Sequence, residues 1–255
     1  MLRALIAAPS VSSVNPGWDM SNAPVIELLH GWFDALGFET EVITIPGHPG
    51  KSNLIASAGR GEQGLVLSGH TDTVPFDEEK WSSNPLQISE RNGRLHGMGT
   101  ADMKGFFAVV IEALRELPLD QLKQPLTILA TADEESNMCG AKALSDLHRR
   151  LGRHALIGEP TSLKPIYMHK GISMESIRLT GRSGHSSDPS LGVNALDGMH
   201  RVLGEVIRWR EELQSRYRNP AFAVEVPSLN LGHIHGGDNP NRICGQCELQ
   251  FDLRP

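Results

Sequence analysis

Cysteine and long apolar runs are scarce in this sequence. Its 255 residues contain three cysteines, Cys139, Cys244 and Cys247. An odd number this small argues against a disulfide framework and for a reducing compartment. The most apolar later stretch, Phe106 to Leu114, contains a glutamate and is too short to cross a bilayer. The apolar segment at the start is also too short for the core of a signal peptide. These absences predict a cytoplasmic protein without a membrane partner.

Positive charge is scarce as well. Lysine and arginine total 24 against 30 aspartates and glutamates, which gives a formal net charge of −6, and no long basic run stands out. A nucleic-acid partner or an anionic membrane surface is therefore not indicated. The hydrophobic share of 39% and the charged share of 21% are typical of a folded globular chain rather than a disordered one.

Two short patterns resemble metal-binding motifs but are interpreted as structural. Cys244 and Cys247 form a lone C-x-x-C without a second pair nearby. The surrounding alternation is typical of a strand, which would point the two thiols to opposite faces. His233 and His235 lie two residues apart on one face of another predicted strand, outside the segment that carries the candidate site.

Strand-like and helix-like segments alternate over the first part of the chain. This order predicts an α/β domain at residues 1–170, with a mostly parallel sheet flanked by helices on both faces. The pattern then changes to β-α-β-β, which predicts a second, smaller α+β domain at residues 171–255. Its predicted strands are Ser173–Thr180, Ser228–Ile234 and Arg242–Leu253.

The predicted parallel strands end in residues that can bind a metal. In open α/β sheets, ligands gather at the carboxyl ends of the strands. Taken singly, each of these residues has an ordinary explanation: a hydrogen-bonded histidine, a solvated glutamate pair or an aspartate that caps a helix. Together they offer only nitrogen and oxygen donors, which suits Zn²⁺ or Co²⁺ better than Ca²⁺. The residues at the strand ends are His70, Asp72, Glu134, Glu135 and Glu159, and Asp102 joins them from a loop just before a predicted helix.

Charge balance favours two metal ions. The carboxylates of Asp102, Glu135 and Glu159 carry −3, a deprotonated water adds −1, and two divalent ions supply +4. His70 and Asp72 are two residues apart on an extended segment, so their side chains point to the same side. We therefore expect Asp72 to accept the second ring N–H of His70 and to orient the imidazole.

Several segments resemble the co-catalytic zinc peptidases and deacylases. They are Ser68-Gly-His-Thr-Asp72, Gly99-Thr-Ala-Asp-Met-Lys-Gly105, Thr131-Ala-Asp-Glu-Glu135, Gly158-Glu-Pro160 and Gly181-Arg-Ser-Gly-His185. Others are more narrowly similar to the family's enzymes that remove acetyl from N²-acetyl-L-ornithine. These are Gly158–Ser162, His169–Gly171, Ser183–Pro189, Asn230–Asp238, Asn241–Cys244 and Asp252–Pro255.

This resemblance implies two Zn²⁺ ions per subunit, with Co²⁺ as a plausible substitute. Asp102 would bridge the two ions, His70 and Glu159 would complete the shell of one, and Glu135 would serve the other. Glu134 is similar to the family's general base, which takes a proton from the attacking water and delivers it to the leaving amine.

The resemblance also implies a role for the smaller domain. It would be a ferredoxin-like dimerisation and lid domain, and the protein would be a homodimer. His185 matches a histidine that reaches across the dimer to stabilise an oxyanion. Asn241 and Arg254 match residues near the substrate's carbonyl and carboxylate groups, and Lys170 is a further candidate.

The implied reaction is the hydrolysis of N²-acetyl-L-ornithine to ornithine and acetate in arginine biosynthesis. A succinyl-diaminopimelate desuccinylase and a dipeptidase remain alternatives, because the same site would serve all three. In the family the chain returns from the smaller domain to complete the catalytic sheet and to supply the last zinc ligand, a histidine. The sequence stops at Pro255, before that return. Both domains are therefore expected to be incomplete, and an inactive fragment is the other hypothesis.

Overall fold

The computed structural model describes residues 1–61 and 63–255, which divide into two units, Met1–Lys164 and Pro165–Pro255. The first unit alternates helices and strands as predicted, and its elements in chain order are α1 (Leu2–Ala7), α2 (Ala23–Ala35), β1 (Glu39–Thr44), β2 (Ser52–Ala58), β3 (Leu65–His70), β4 (Ser89–Arg91), β5 (Arg94–His96), α3 (Lys104–Leu114), β6 (Leu126–Thr131), α4 (Cys139–Asp146) and β7 (His154–Ile157).

Five strands of the first unit form one sheet in the order β1-β2-β6-β3-β7. The predicted α/β fold is confirmed, but the sheet is mixed rather than mostly parallel. β3 pairs in parallel with β6 and β7, whereas β2 is antiparallel to both β1 and β6. The reason is the short connection between β1 and β2, because residues 45–51 are too few for the crossover that a parallel pair needs.

The main core of this unit lies between the sheet and the helices α1, α2 and α3. The apolar spacing of α2 places Val25, Leu29 and Phe33 fully inside. A β-carbon on Gly69, near the end of β3, would come within 3.0 Å of Phe107 and 2.8 Å of Met103. Glycine at this position therefore lets the start of α3 approach the end of β3.

The second unit has the predicted β-α-β-β order. Its elements are β8 (Ser173–Thr180), α5 (Ala195–Arg216), β9 (Ser228–Gly236) and β10 (Gln246–Arg254). The strands form an antiparallel sheet in the order β8-β10-β9. α5 packs on one face through Met199 and Val206, against Leu229 and Leu249.

The last strand begins at Gln246 instead of Arg242 as predicted. The preceding residues pair elsewhere, since Ile243 N–H donates to Gly184 O and Arg242 forms a bridge with His185. In the described part of the chain, no helix is both long enough and apolar enough to span a membrane.

Candidate metal centre

Polar side chains follow the carboxyl ends of the three parallel strands. β3 ends at His70, Glu134 and Glu135 follow β6, and Glu159 follows β7. Because β3 pairs in parallel with both neighbours, these ends lie at one edge of the sheet. Asp102 joins them from the loop before α3, which contacts the end of β3. The structure thus brings the predicted ligands to one place.

The imidazole of His70 is buried and is oriented by Asp72. Its Nδ1 lies 3.1 Å from the main-chain oxygen of Asp72 and 3.5 Å from the carboxylate Oδ1. Since a carbonyl oxygen can only accept, Nδ1 carries a hydrogen and donates it. Nε2 faces Asp102 Oδ1 at 3.0 Å and Glu159 Oε1 at 3.9 Å. Nε2 is therefore the nitrogen that a cation would reach.

The protonation of His70 follows from these surroundings. Burial alone would lower its pKa, but the hydrogen bond and attraction to Asp72, helped by Glu134 and Glu159, raise the pKa to about 9. Burial would in turn raise the pKa of Asp72, and His70 with two backbone N–H groups lowers it. The pair is thus an imidazolium and a carboxylate at neutral pH, and a cation at Nε2 would replace one proton.

Asp72 also holds the segment that carries the two glutamates. Its Oδ1 accepts the N–H of Glu134 at 3.2 Å, and its Oδ2 accepts the N–H of Glu135 at 3.0 Å. The Asp72 side chain is fully buried, so these contacts are shielded from water. One carboxylate therefore orients the histidine and the glutamate turn together.

Two of the carboxylates near His70, those of Glu135 and Glu159, resist ionisation. Burial, followed by the charge of Asp102, raises the pKa of Glu135 to about 7. Burial also raises the pKa of Glu159, opposed by His70 and reinforced by Asp102. Acidic groups that repel one another at a sheet edge are expected where a cation balances their charge in use.

Two sets of potential ligand atoms share His70. One set adds Asp102 and Glu135, the other adds Glu134 and Glu159, and within each set the atoms lie within 4.8 Å of one another. All donors are nitrogen or oxygen, as Zn²⁺ and Co²⁺ accept. A further set consists of His48, Asp133 and Cys139. It differs because Lys51 Nζ lies 2.6 Å from Asp133 Oδ1 and already balances the charge of that carboxylate.

A scan of protein-family models matches residues 66–240 to Peptidase family M20/M25/M40. The chain belongs to this family. It is also 53% identical to the acetylornithine deacetylases of Salmonella arizonae and Salmonella newport, over 253 residues and 99% of the chain. The M20 chain spans 66% of the length of these curated relatives.

Solved structures with the same fold are distant in sequence. An M20 family metallo-carboxypeptidase from Sulfolobus solfataricus aligns with a TM-score of 0.76 at 17% identity, covering 99% of this chain and 70% of the other. A protein of Bacillus subtilis described as a dinuclear metal-binding peptidase of family M20 aligns with a TM-score of 0.57 at 16% identity, covering 100% and 62%. At these identities the likeness concerns the fold.

The predicted residues of the second unit are grouped only in part. Ser186 N–H donates to Asn241 O at 2.9 Å, which places Asn241 beside His185. Arg254 is exposed at the end of strand β10, where its Nε contacts Asp252 Oδ2 at 2.9 Å. Lys170 donates to Val226 O and lies over the ring of Phe222, 5.8 Å from its centre. These two cations are engaged within the unit.

The cysteine motif of the M20 chain has a different geometry from the prediction. Cys244 precedes the strand, and both Cys244 and Cys247 are buried in the core of the second unit. The two thiols therefore do not point to opposite faces. Both are free thiols that pack as small apolar side chains, as the structural interpretation requires.

The sequence-based prediction missed two residues, one in β2 and one just before it, that support the candidate metal centre. Lys51 binds Asp133, and Asn53 binds the main chain on both sides of the glutamate turn. The structural role of Lys104 was also not predicted. Its side chain is fully buried, and its Nζ donates to Ala8 O at 2.9 Å. The available signal in the sequence was a lysine at the start of a strand or a helix. The sequence did not show which residue the lysine would contact, because that depends on tertiary packing.

Proposed function

We propose that this chain carries the dinuclear metal site of a hydrolase that removes acetyl from N²-acetyl-L-ornithine to give ornithine and acetate. The observation that carries the proposal is the buried His70, whose Nε2 faces several carboxylates at the edge of the sheet. The 53% identity to acetylornithine deacetylases supports the substrate. Because the chain spans 66% of those relatives, the activity is proposed for the complete protein.

The donor set suits two divalent ions, with Zn²⁺ as the expected metal and Co²⁺ as a substitute. Asp102 would bridge, His70 and Glu159 would serve one ion, and Glu135 would serve the other. Ions held there would lower the pKa of a coordinated water and withdraw electrons from the acyl oxygen of the substrate. The spacing of His70 and Asp102 supports a shared position, since their facing atoms are 3.0 Å apart.

Glu134 is the proposed general base. It takes one proton from the water that attacks the acetyl carbon, and it delivers this proton to the amine nitrogen as the carbon–nitrogen bond breaks. The main-chain N–H of Glu134 is held by Asp72. The position of the base is thereby tied to the same carboxylate that orients His70.

His185 is the proposed oxyanion donor, supplied across a homodimer. Ser187 N–H donates to His185 Nδ1 at 3.2 Å, so Nδ1 is the acceptor and Nε2 carries the hydrogen in the neutral ring. This is the reverse of the arrangement at His70, where Nδ1 donates. A histidine with a free Nε2–H suits a donor to a developing negative charge. Asn241, Arg254 and Lys170 are proposed as substrate contacts.

The test measures metal content and hydrolysis on the same sample. The metal-free protein is titrated with Zn²⁺, and turnover is assayed with N²-acetyl-L-ornithine, an N-succinyl-diaminopimelate and a dipeptide. We expect two bound zinc ions and a preference for acetylornithine. Faster turnover of the N-succinyl-diaminopimelate or of the dipeptide would contradict the proposed specificity and identify the preferred substrate class. Fewer than two ions without turnover would support an inactive fragment.

A Glu134→Gln variant tests the base. We expect kcat to fall by about 10²- to 10⁴-fold while zinc content stays unchanged. Glu79→Gln, at an exposed position of the same unit, serves as the matched control and should keep full activity. Substantial residual activity in Glu134→Gln would remove Glu134 from this role.

A further inference from the structure

The loop at residues 132–140 carries Glu134 and Glu135 and is closed at its base by a side chain from β2. Asn53 Oδ1 accepts the N–H of Ala132 at 3.0 Å, and Asn53 Nδ2 donates to Gly140 O at 2.9 Å. The two ends of the loop are also joined directly, since Gly140 N–H donates to Ala132 O. The loop is therefore anchored to a strand that carries no metal ligand.

Lys51 reaches the same loop from the residue before β2. Its Nζ lies 2.6 Å from Asp133 Oδ1 and 2.8 Å from Asp19 Oδ1, and its side chain is 3% exposed. The antiparallel register explains the contact, because Leu54 pairs with Ala130 and its continuation places Lys51 opposite Asp133. Asp133 has a φ of 54°, a left-handed conformation that directs the chain sharply after β6.

The glutamate turn is thus held from two sides. Lys51 holds the side chain of Asp133, and Asp72 accepts the N–H groups of the next two residues. The contacts at Asp72 fix the direction of the main chain, and the contact at Lys51 fixes where the turn begins. Together they determine where Glu134 and Glu135 place their carboxylates.

We propose that Lys51 is a positioning residue for the Glu134–Glu135 turn, acting through its buried contact with Asp133. The inference rests on the proposed function. A buried ion pair is weak support for overall stability, because desolvation of both charges offsets their attraction. The role that the intact pair adds is therefore geometric. Removal of Lys51 would leave the buried carboxylate of Asp133 without this partner, which destabilises the unit, and would also misplace the base and the ligand.

The central experiment compares Lys51→Met with Val25→Ala in the zinc-loaded protein. Val25 of α2 is fully buried in the main core, whereas Ala132 and Cys139 of the loop belong to a separate cluster, so truncation of Val25 destabilises the same unit without removing a contact to the loop. We expect kcat of Lys51→Met to be about 10²-fold below that of Val25→Ala, with KM changed less than about threefold, as for a misplaced catalytic group. A kcat less than about tenfold below that of Val25→Ala would overturn the proposal.

Asp133→Asn supplies the conservative comparison. Asparagine keeps an acceptor oxygen for Lys51 and tolerates a positive φ. The kcat of Asp133→Asn should therefore lie between the values of wild type and Lys51→Met. A loss equal to that of Lys51→Met would contradict this. Should Lys51→Met fail to fold, Lys51→Met/Asp133→Asn removes both members of the buried pair, and the same kcat criterion against Val25→Ala applies.

Amide hydrogen exchange tests positioning without any need for activity. In Lys51→Met we expect exchange at Glu134 and Glu135 to be at least about tenfold faster than in Val25→Ala, because the bonds to Asp72 open more often. Equal exchange would overturn the proposal. Absence of zinc binding and turnover in the complete wild-type protein would instead count against the proposed function, and the exchange result would still decide the role of Lys51.

Discussion

The candidate metal centre of the first unit and the exposed sheet face of the second unit use similar residues but balance their charges differently. On the sheet face, Arg178 pairs with Glu248 at 2.6 Å and Arg254 with Asp252 at 2.9 Å. At the metal centre, no lysine or arginine among residues 1–61 and 63–255 forms an ion pair with the carboxylates that face His70. Matched charges in solvent are typical of an ordinary surface, and unmatched charges around a buried histidine indicate a cation site.

Glycine substitutions should separate the two units most strongly. A β-carbon on Gly140 would lie 2.5 Å from Ala132 O and 2.6 Å from Asn53 Oδ1, whereas one on Gly204 in α5 would meet nothing within 4 Å. We expect Gly140→Ala to lower the free energy of unfolding by about 1–3 kcal/mol or more. Gly204→Ala should raise it by about 0.5–1 kcal/mol. Urea unfolding measures both changes. An unchanged free energy of unfolding in Gly140→Ala would show that the base of the loop can relax around the added methyl group.

The same aspartate-to-asparagine change should also differ between the units. In Asp72→Asn, one of the N–H groups of Glu134 and Glu135 would face an amide nitrogen, and a buried donor without a partner costs about 1–3 kcal/mol. In Asp252→Asn an exposed contact to Arg254 weakens, which is worth about 0–1 kcal/mol. Unfolding midpoints and zinc affinity are the measurements. Equal effects would mean that burial does not distinguish these carboxylates.

The sequence predicted which side chains meet at the candidate metal centre better than it predicted the residues that hold them there. The meeting of His70, Glu135 and Glu159 at one edge was predictable because parallel strands bring their carboxyl ends together, and a chain pattern reveals where such strands end. Lys51 was missed because its partner Asp133 is far along the chain and meets it through an antiparallel pairing. In a parallel arrangement the start of β2 would lie at the edge opposite the carboxyl ends of β3 and β6, so the predicted mostly parallel sheet gave no reason to connect Lys51 with Asp133.

In the second unit, the sequence predicted the strands but not all of their boundaries. β8 was predicted with its observed bounds, because regular alternation marks a half-buried strand. The start of β10 was placed four residues too early, at Arg242 instead of Gln246. Arg242 pairs with His185 and Ile243 N–H donates to Gly184 O, while Cys244 O accepts the N–H of Ala195 at the start of α5. Such local pairings leave the alternation intact, so the pattern alone does not show where the sheet begins.

Removing one carboxylate from the metal centre should have opposite effects with and without zinc. Glu135 has a folded-state pKa of about 7, above its ordinary value of 4.5. Its ionised form therefore opposes folding, a cost that is absent below about pH 4.5 and complete above pH 7. In a chelator at pH 8 we expect Glu135→Gln to be more stable than wild type, by less than about 1 kcal/mol after solvent screening.

Zinc should reverse this order. Ligand binding stabilises the folded state in proportion to the logarithm of zinc concentration over its dissociation constant, and Glu135→Gln lacks a proposed ligand. Wild type should then have the higher melting temperature. Glu79→Gln is the control and should follow wild type in both conditions. An increase in melting temperature with zinc that is as large in Glu135→Gln as in wild type would show that Glu135 is not a ligand.

The smallest effect is expected at the exposed sheet face, with the opposite sign. Hydrogen bonds from Gln250 and Arg178 lower the pKa of Glu248 to about 2. A carboxyl whose folded pKa is depressed contributes stability above its unfolded value near 4.5 and loses it as pH falls toward 2. Glu248→Gln should therefore be slightly less stable than wild type at pH 6, and the difference should vanish near pH 2. Urea midpoints across this range measure it, and a difference that does not change with pH would mean that the ionised carboxylate of Glu248 contributes nothing.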